Sequence, residues 1–267
     1  NGWLQMPGSR TLHAPVNGHW WYWANARSAA TPDGFNQEET IKAIWARDAA
    51  GPRMTFLDNG EVRIGMDLAL GGAVTHISGK NHPGNLINSA DLGRQIQMSH
   101  YSGPWPFVVG DTKPNPAWAG LGWNPIQTGD CYMNPSTVVD HRNTGQELYI
   151  KCIPMQWPLD NVPGDCFFEV WLALEGSAIQ ARCKLTNLRE DKTQYSGRGQ
   201  ELPAVYLNAP WSTCVTYTGN APFTGDALTE QATDPNPEKG GWVWSNPRYA
   251  TENWAAFINA AGWGPGI

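Results

Sequence analysis

The residues best placed to do chemistry fall in three stretches. In RGQELPAVYLNAPW, residues 198–211, Glu201 stands at the head of the apolar run AVYL, with Arg198 and Gln200 before it and Trp211 after it. Partial shielding raises a carboxylate's pKa and a neighbouring guanidinium lowers it, so a carboxylate here can be tuned for acid–base work. Glu201 is therefore the first candidate for a proton-transfer group. The plainer alternative is a turn glutamate that is solvated or ion-paired with Arg198.

The segment NLINSADLGRQIQMSHYSGPWPF, residues 85–107, gathers Asp91, Arg94, Gln97, His100 and Tyr101. His100 with Tyr101 makes a second candidate acid–base pair, and Asp91 and Gln97 are candidate hydroxyl partners. If Arg94 to Tyr101 is extended, Arg94, Ile96, Met98 and His100 share one face while Gln95, Gln97, Ser99 and Tyr101 share the other. Alternation thus forbids one pocket for all of them. An ordinary polar strand is the alternative reading.

The third feature is aromatic: fifteen Trp with eight Tyr and seven Phe. A flat ring stacks on the C–H face of a pyranose while polar neighbours take its hydroxyls. Trp105 in SGPWPF, Trp118 and Trp123 in NPAWAGLGWNPIQTGD, Trp157 in PMQWPLD and Trp211 in NAPWST lie in proline- and glycine-rich, loop-like surroundings. Binding groups tend to sit in such loops. Trp123 with Asn124 and Gln127, and Trp211 with Asn208 and Ser212, are the leading expected sugar contacts, joined by Trp105. Core filling is the alternative for any one Trp.

Asp130, Asp165 and Glu169 are further carboxylates with aromatic or polar neighbours, and two-carboxylate glycoside hydrolysis would need a pair of them at a suitable separation. The sequence has no GxSxG elbow, HExxH motif, P-loop or dinucleotide fingerprint. The histidines lack ligand spacing; His141 is kept as a candidate contact. The five cysteines show no CxxC, so no metal and no cofactor is expected. A bridge between Cys152 and Cys166, flanking the turn-rich PMQWPLDNVPGD, is the first choice in an oxidising compartment.

Strands must position these groups. Val62, Ile64, Met66 and Leu68 alternate with Glu61, Arg63, Gly65 and Asp67, and Gly71-Gly72 turns the chain into Ala73–Ile77. FFEVWLALEGSAIQARCKLTNL predicts a hairpin around Glu175-Gly176-Ser177, with Phe168, Val170, Leu172 and Leu174 on the face that meets Ile179, Ala181, Cys183 and Leu185. Leu148–Ile153, Ala204–Leu207, Thr213–Tyr217 and Trp254–Ile258 are further expected strands. QEETIKAIWARDAA, residues 37–50, alone carries a convincing helical period. Trp263–Ile267 reads as the return strand of a final hairpin, either cut short or completed by a further piece of chain.

The expected fold is all-β, a large antiparallel β-sandwich with a short N-terminal helix. Residues 1–53 are expected to pack on a sandwich formed by residues 54–267. Charged residues make up only 16%, and the formal charge is −6. Nucleic acid is therefore disfavoured as a partner, since phosphates are held by clustered Lys and Arg. No run reaches the roughly 18 apolar residues of a bilayer span, so no membrane is expected. The chain reads as secreted, with any export signal already removed.

The blocks FLDNGEVRIGMDLALGGAVTHI, NLINSADLGRQIQ and QELPAVY resemble the galactose mutarotase-like supersandwich group, which includes aldose epimerases and domains of polysaccharide lyases and glycoside hydrolases. That resemblance implies histidine and glutamate at an anomeric centre, matched here by Arg94, by His100 or His141, and by Glu201. The usual His-Gly signature of the epimerases is absent, which points away from simple mutarotation and toward a polymer. The expected function is cleavage of a polysaccharide or oligosaccharide, by hydrolysis or elimination; a lectin-like sugar binder is the alternative.

Overall fold

Period-two alternation sets the first sheet. In the computed structural model, which describes residues 53–89, 92–222, 224–231 and 250–267 and the backbone of a short strand pair, β1 (Trp3–Leu4) and β2 (Leu12–His13), strands take 44% and helical turns 3%. The fold is all-β, as its alternation predicts. The expected helix over residues 37–50, and Asp91, lie outside the described residues.

Strands β3 (Met54–Asp58), β4 (Val62–Asp67) and β5 (Ala73–Gly79) pair antiparallel in chain order. Val62, Ile64 and Met66 are buried while Arg63 is exposed. Asp67 ends β4: its carboxylate caps the following turn by accepting the Ala69 N–H at 3.0 Å and holds the Arg53 Nε at 2.8 Å. Gly71 then takes φ +61°, and a Cβ there would overlap the carbonyl oxygen of Gln127, so only glycine fits this turn.

The second sheet has the order β12-β11-β9-β8, from β8 (Thr137–Asn143), β9 (Glu147–Ile153), β11 (Cys166–Glu175) and β12 (Ala178–Asn187). Its hairpin brings together the facing residues expected from the sequence, in the register Phe168 opposite Leu185, Val170 opposite Cys183, Leu172 opposite Ala181 and Leu174 opposite Ile179. The expected Cys152–Cys166 bridge is absent: both are buried free thiols, and burial pushes each thiol's pKa up. On the outer face, Arg142, Arg182 and Lys151 lie over the rings of Tyr149, Trp171 and Phe167.

A third sheet, order β10-β7-β6-β13, joins β6 (Gln97–Ser99), β7 (Pro125–Ile126), β10 (Met155–Gln156) and β13 (Glu201–Ala204). The bridge between Val74 and Ile96 runs it on from β5. Leu148, Ile150, Phe168 and Leu172 of the second sheet and Ile64 and Met66 of the first form the core, with Ile150 seated against Gly72. Asn143 ties the layers at the rim, donating to Thr55 Oγ1 at 3.0 Å and to the Phe56 carbonyl at 2.9 Å. A small apolar crevice between the layers, lined by Val74, Met98, Val170, Leu172 and Cys183, offers no polar group suited to a sugar hydroxyl apart from Gln97 and Gln127, which are engaged elsewhere.

The chain falls into two compact units that meet at Tyr206/Leu207 in sequence. In the second unit β14 (Thr213–Thr216) lies between β15 (Thr229–Glu230) and β16 (Ala255–Ile258). The return of the final hairpin forms: Phe257 N–H donates to Pro265 at 3.0 Å, and Ala255 and Ile267 exchange bonds of 2.9 and 2.7 Å.

Candidate functional site

The third sheet consists of very short strands whose backbone is held by buried side-chain amides. Gln127 accepts from Met98 N at 2.9 Å and donates to the Gly71 carbonyl at 3.1 Å. Gln97 accepts from Thr128 Oγ1 at 2.7 Å and donates to the Gly93 carbonyl, and Gln156 accepts from Asn124 N at 2.9 Å. Each of these amides is at most 1% exposed. A buried amide pairs with backbone that a two-residue strand leaves unpaired. Gln97 and Gln127, expected as sugar contacts, are therefore corrected to scaffold.

At the open end of this sheet, Glu201 of β13 lies opposite Ser99 of β6. Gln200 extends the pairing beyond the strands, accepting from Tyr101 N at 2.7 Å and donating to the Tyr101 carbonyl at 2.8 Å. This clasp brings the Tyr101 hydroxyl to Glu201 Oε1, 3.1 Å away. A register shift follows Glu201, and the chain is then pinned where Asn88 N–H donates to the Tyr206 carbonyl at 2.9 Å. The Tyr206 hydroxyl consequently reaches Glu201 Oε2 at 3.2 Å. Both oxygens of one half-exposed carboxylate thus accept phenolic hydrogens.

Arg198 does not ion-pair with Glu201. Its guanidinium carbon stands 5.3 Å from the Tyr101 ring centroid and 5.6 Å from that of Trp105, and Nη1 donates to the Leu121 carbonyl at 3.2 Å. Trp105, 42% exposed, meets Tyr195 edge to face at 5.9 Å. Tyr195, Trp105, Arg198, Tyr101, Glu201 and Tyr206 therefore form one continuous strip.

Beneath the strip is a closed layer. Trp123 is 1% exposed, against His100 at 5.6 Å and with the Arg189 guanidinium 4.9 Å over its ring, so it presents no open face; its expected stacking role is corrected. Arg189 is buried and pairs with Asp191 at 2.8 Å. The Tyr195 hydroxyl also donates to Asp191, and that bond holds the Asp191 carboxyl down to about 2. His100 sits in this layer with Nδ1 buried and unpartnered, and burial, then the charge of Arg189, lowers its pKa. It is not bonded to the Glu201 cluster, so the expected His100–Tyr101 acid–base pair does not form.

The other expected residues separate. Arg94 is half-buried, and its charge reaches the Tyr206 phenol. His141 lies exposed on β8, in a different sheet, opposite Ile150. Trp211 belongs to the second unit, against Trp263 at 6.3 Å, with Nε1 buried. Asp130 organises a turn, accepting from Tyr132 N and Asn134 N, each at 2.9 Å. Glu169 holds the Tyr149 hydroxyl at 2.9 Å and Lys184 at 3.0 Å. Sequence reasoning missed Tyr206 and Tyr195; the first is hidden by the register shift, and the second by its lack of any local pattern.

Burial, then the charge of Glu201, pushes the Tyr101 phenol up to about 12 and raises Tyr206 as well. Both phenols are proton donors across the neutral range. For a group whose folded pKa is raised, stability is fully present below the unfolded value of roughly 10 and is lost as pH rises through the folded value. The stability curve between about pH 10 and pH 12 should therefore fall less steeply in Tyr101→Phe than in the parent, measured by urea unfolding at each pH. Identical slopes would show that Tyr101 titrates alike in both states.

Chemically, the strip offers stacking faces, a cation, and a carboxylate coupled to two phenols. The chain matches no protein family, no curated protein and no solved structure.

Proposed function

We propose that the strip binds carbohydrate and that the chain cleaves a glycan beside it, with Glu201 and Tyr101 handling the proton. The observation that carries this reading is the carboxylate capped on both oxygens by tyrosine hydroxyls at the end of a strip of half-buried rings and the exposed Trp105. Hydrolysis puts one proton on the leaving oxygen and takes one from the attacking water; the Tyr101 phenol can give the first, the Glu201 carboxylate can take the second, and at 3.1 Å the carboxyl can hand it back to the phenol. Asp130 and Glu169 are engaged elsewhere, so among the described residues phenols, not a second carboxylate, bond to Glu201. Export, and kinship with the mutarotase-like sandwiches, belong to the same proposal; the layered antiparallel architecture supports the latter.

A second reading, sugar binding without turnover, is favoured by the openness of the strip around Trp105. One experiment separates them. Plant, algal and microbial polysaccharides are screened for binding, for released reducing ends and for the absorbance of unsaturated uronates. Release of products supports cleavage, whereas binding without products supports the lectin reading. In either case Trp105→Ala should weaken glycan affinity by about 1–3 kcal/mol, the usual loss of an aromatic anchor. Unchanged affinity in a folded Trp105→Ala protein removes the strip from the binding site.

A further inference from the structure

Arginines elsewhere in the first unit show what a guanidinium does here when an acid is within reach. Arg53 is held by Asp67, and Arg189 by Asp191. Arg198 differs. It is exposed, it lies over two rings of the candidate site, and its Nη1 is anchored on the Gly120 and Leu121 carbonyls at 3.5 and 3.2 Å. Among the described residues no carboxylate pairs with it, and its Nε and Nη2 donors have no protein acceptor.

The unused edge, Nε with Nη2, is the fork that grips a carboxylate through two parallel hydrogen bonds. Stacking and the carbonyl anchors restrict the side chain before any ligand arrives, so less rotamer freedom is lost on binding. Resting on the proposed sugar-binding role of the strip, we propose that its substrate is an acidic glycan and that Arg198 grips the carboxylate of a uronic acid residue stacked beside Tyr101 and Trp105. The chain carries a formal charge of −6, so long-range attraction does not favour a polyanion. Selectivity must come from this local, directional contact.

Titration calorimetry on the full chain tests it with a galacturonate oligomer, its carboxyl-reduced galactose counterpart and a sulfated galactan oligomer. The parent should bind the uronate oligomer about tenfold or more tighter than the reduced one, the scale of a charge-assisted hydrogen bond. Arg198→Gln should collapse that ratio toward one, and Arg198→Lys, which keeps the charge without the fork, should retain only part of it. Arg182→Gln, on the outer face of the second sheet, should leave the ratio unchanged. Thermal unfolding of each variant shows that it is folded.

Equal binding of the two oligomers by the parent overturns the proposal, as does a ratio that survives Arg198→Gln. Tight binding of the sulfated oligomer alone overturns the carboxylate in favour of a sulfate ester. Neutral oligomer binding that Trp105→Ala weakens, with no acidic preference, sinks this inference while leaving the sugar-binding strip in place. Absence of binding to all three, and to the wider polysaccharide screen, overturns both.

Discussion

Glu201→Gln lowers turnover of a cleaved glycan by about 10²–10⁴-fold while leaving its affinity within a few-fold of the parent. Glutamine keeps the shape of the side chain and one acceptor oxygen for a tyrosine hydroxyl, but it cannot take up a proton. Because Tyr101 and Tyr206 each donate to a different oxygen of Glu201, the amide nitrogen faces one of them, and that contact persists only with the phenol oxygen accepting from the amide N–H. The loss therefore falls on chemistry and on one phenol, not on the ring strip. Tyr101→Phe should reproduce a large part of the defect with the same split between rate and affinity. Turnover of Glu201→Gln within a few-fold of the parent would make Glu201 a hydroxyl acceptor and nothing more.

Phe168→Ala destabilises the first unit by about 3–5 kcal/mol, the cost of emptying a closed aromatic site. Phe168 is fully buried and paired with Cys152 on one side and Leu185 on the other. Strands β9 and β12 continue past it in both directions, which limits how far the backbone can collapse into the cavity. Phe168→Leu retains most of the volume and should cost much less. Urea unfolding checks this: the midpoint should drop with the slope unchanged. A loss below about 1 kcal/mol for the alanine variant would contradict the closed packing of the sandwich.

What was legible in the sequence follows from how each element is held. The facing residues of the β11–β12 hairpin could be read, because ten residues on each strand alternate around a tight turn and β11 buries Phe168, Val170 and Leu172. The third sheet could not. Its strands are two to four residues long, too short for a period, and their pairing depends on buried glutamines whose targets are distant in the chain, such as Gln127 on Gly71. Alternation also misplaced β13, expected over Ala204–Leu207 and found at Glu201–Ala204, since the chain leaves the ladder there.

The site was half legible for the same reason. Glu201 and Tyr101 were read from residue type and neighbourhood, and they meet. Tyr206 was not read, because extended backbone would put it on the opposite face from Glu201; the register shift turns it back. Trp123 misled, because a glycine- and proline-flanked tryptophan looks like a loop ring until Arg189 and His100 are seen to close over it. Nothing local in the sequence announces a contact between residues so far apart.

The most direct test of the account is the structure of the protein with a bound oligosaccharide from whichever polysaccharide the screen identifies, using Glu201→Gln to prevent turnover. A sugar ring should lie against Trp105, with a glycosidic oxygen within about 3 Å of the Tyr101 hydroxyl or the residue 201 side chain. A ligand seated instead on the outer face of β8–β9–β11–β12, or in the second unit beside Trp211, would contradict it.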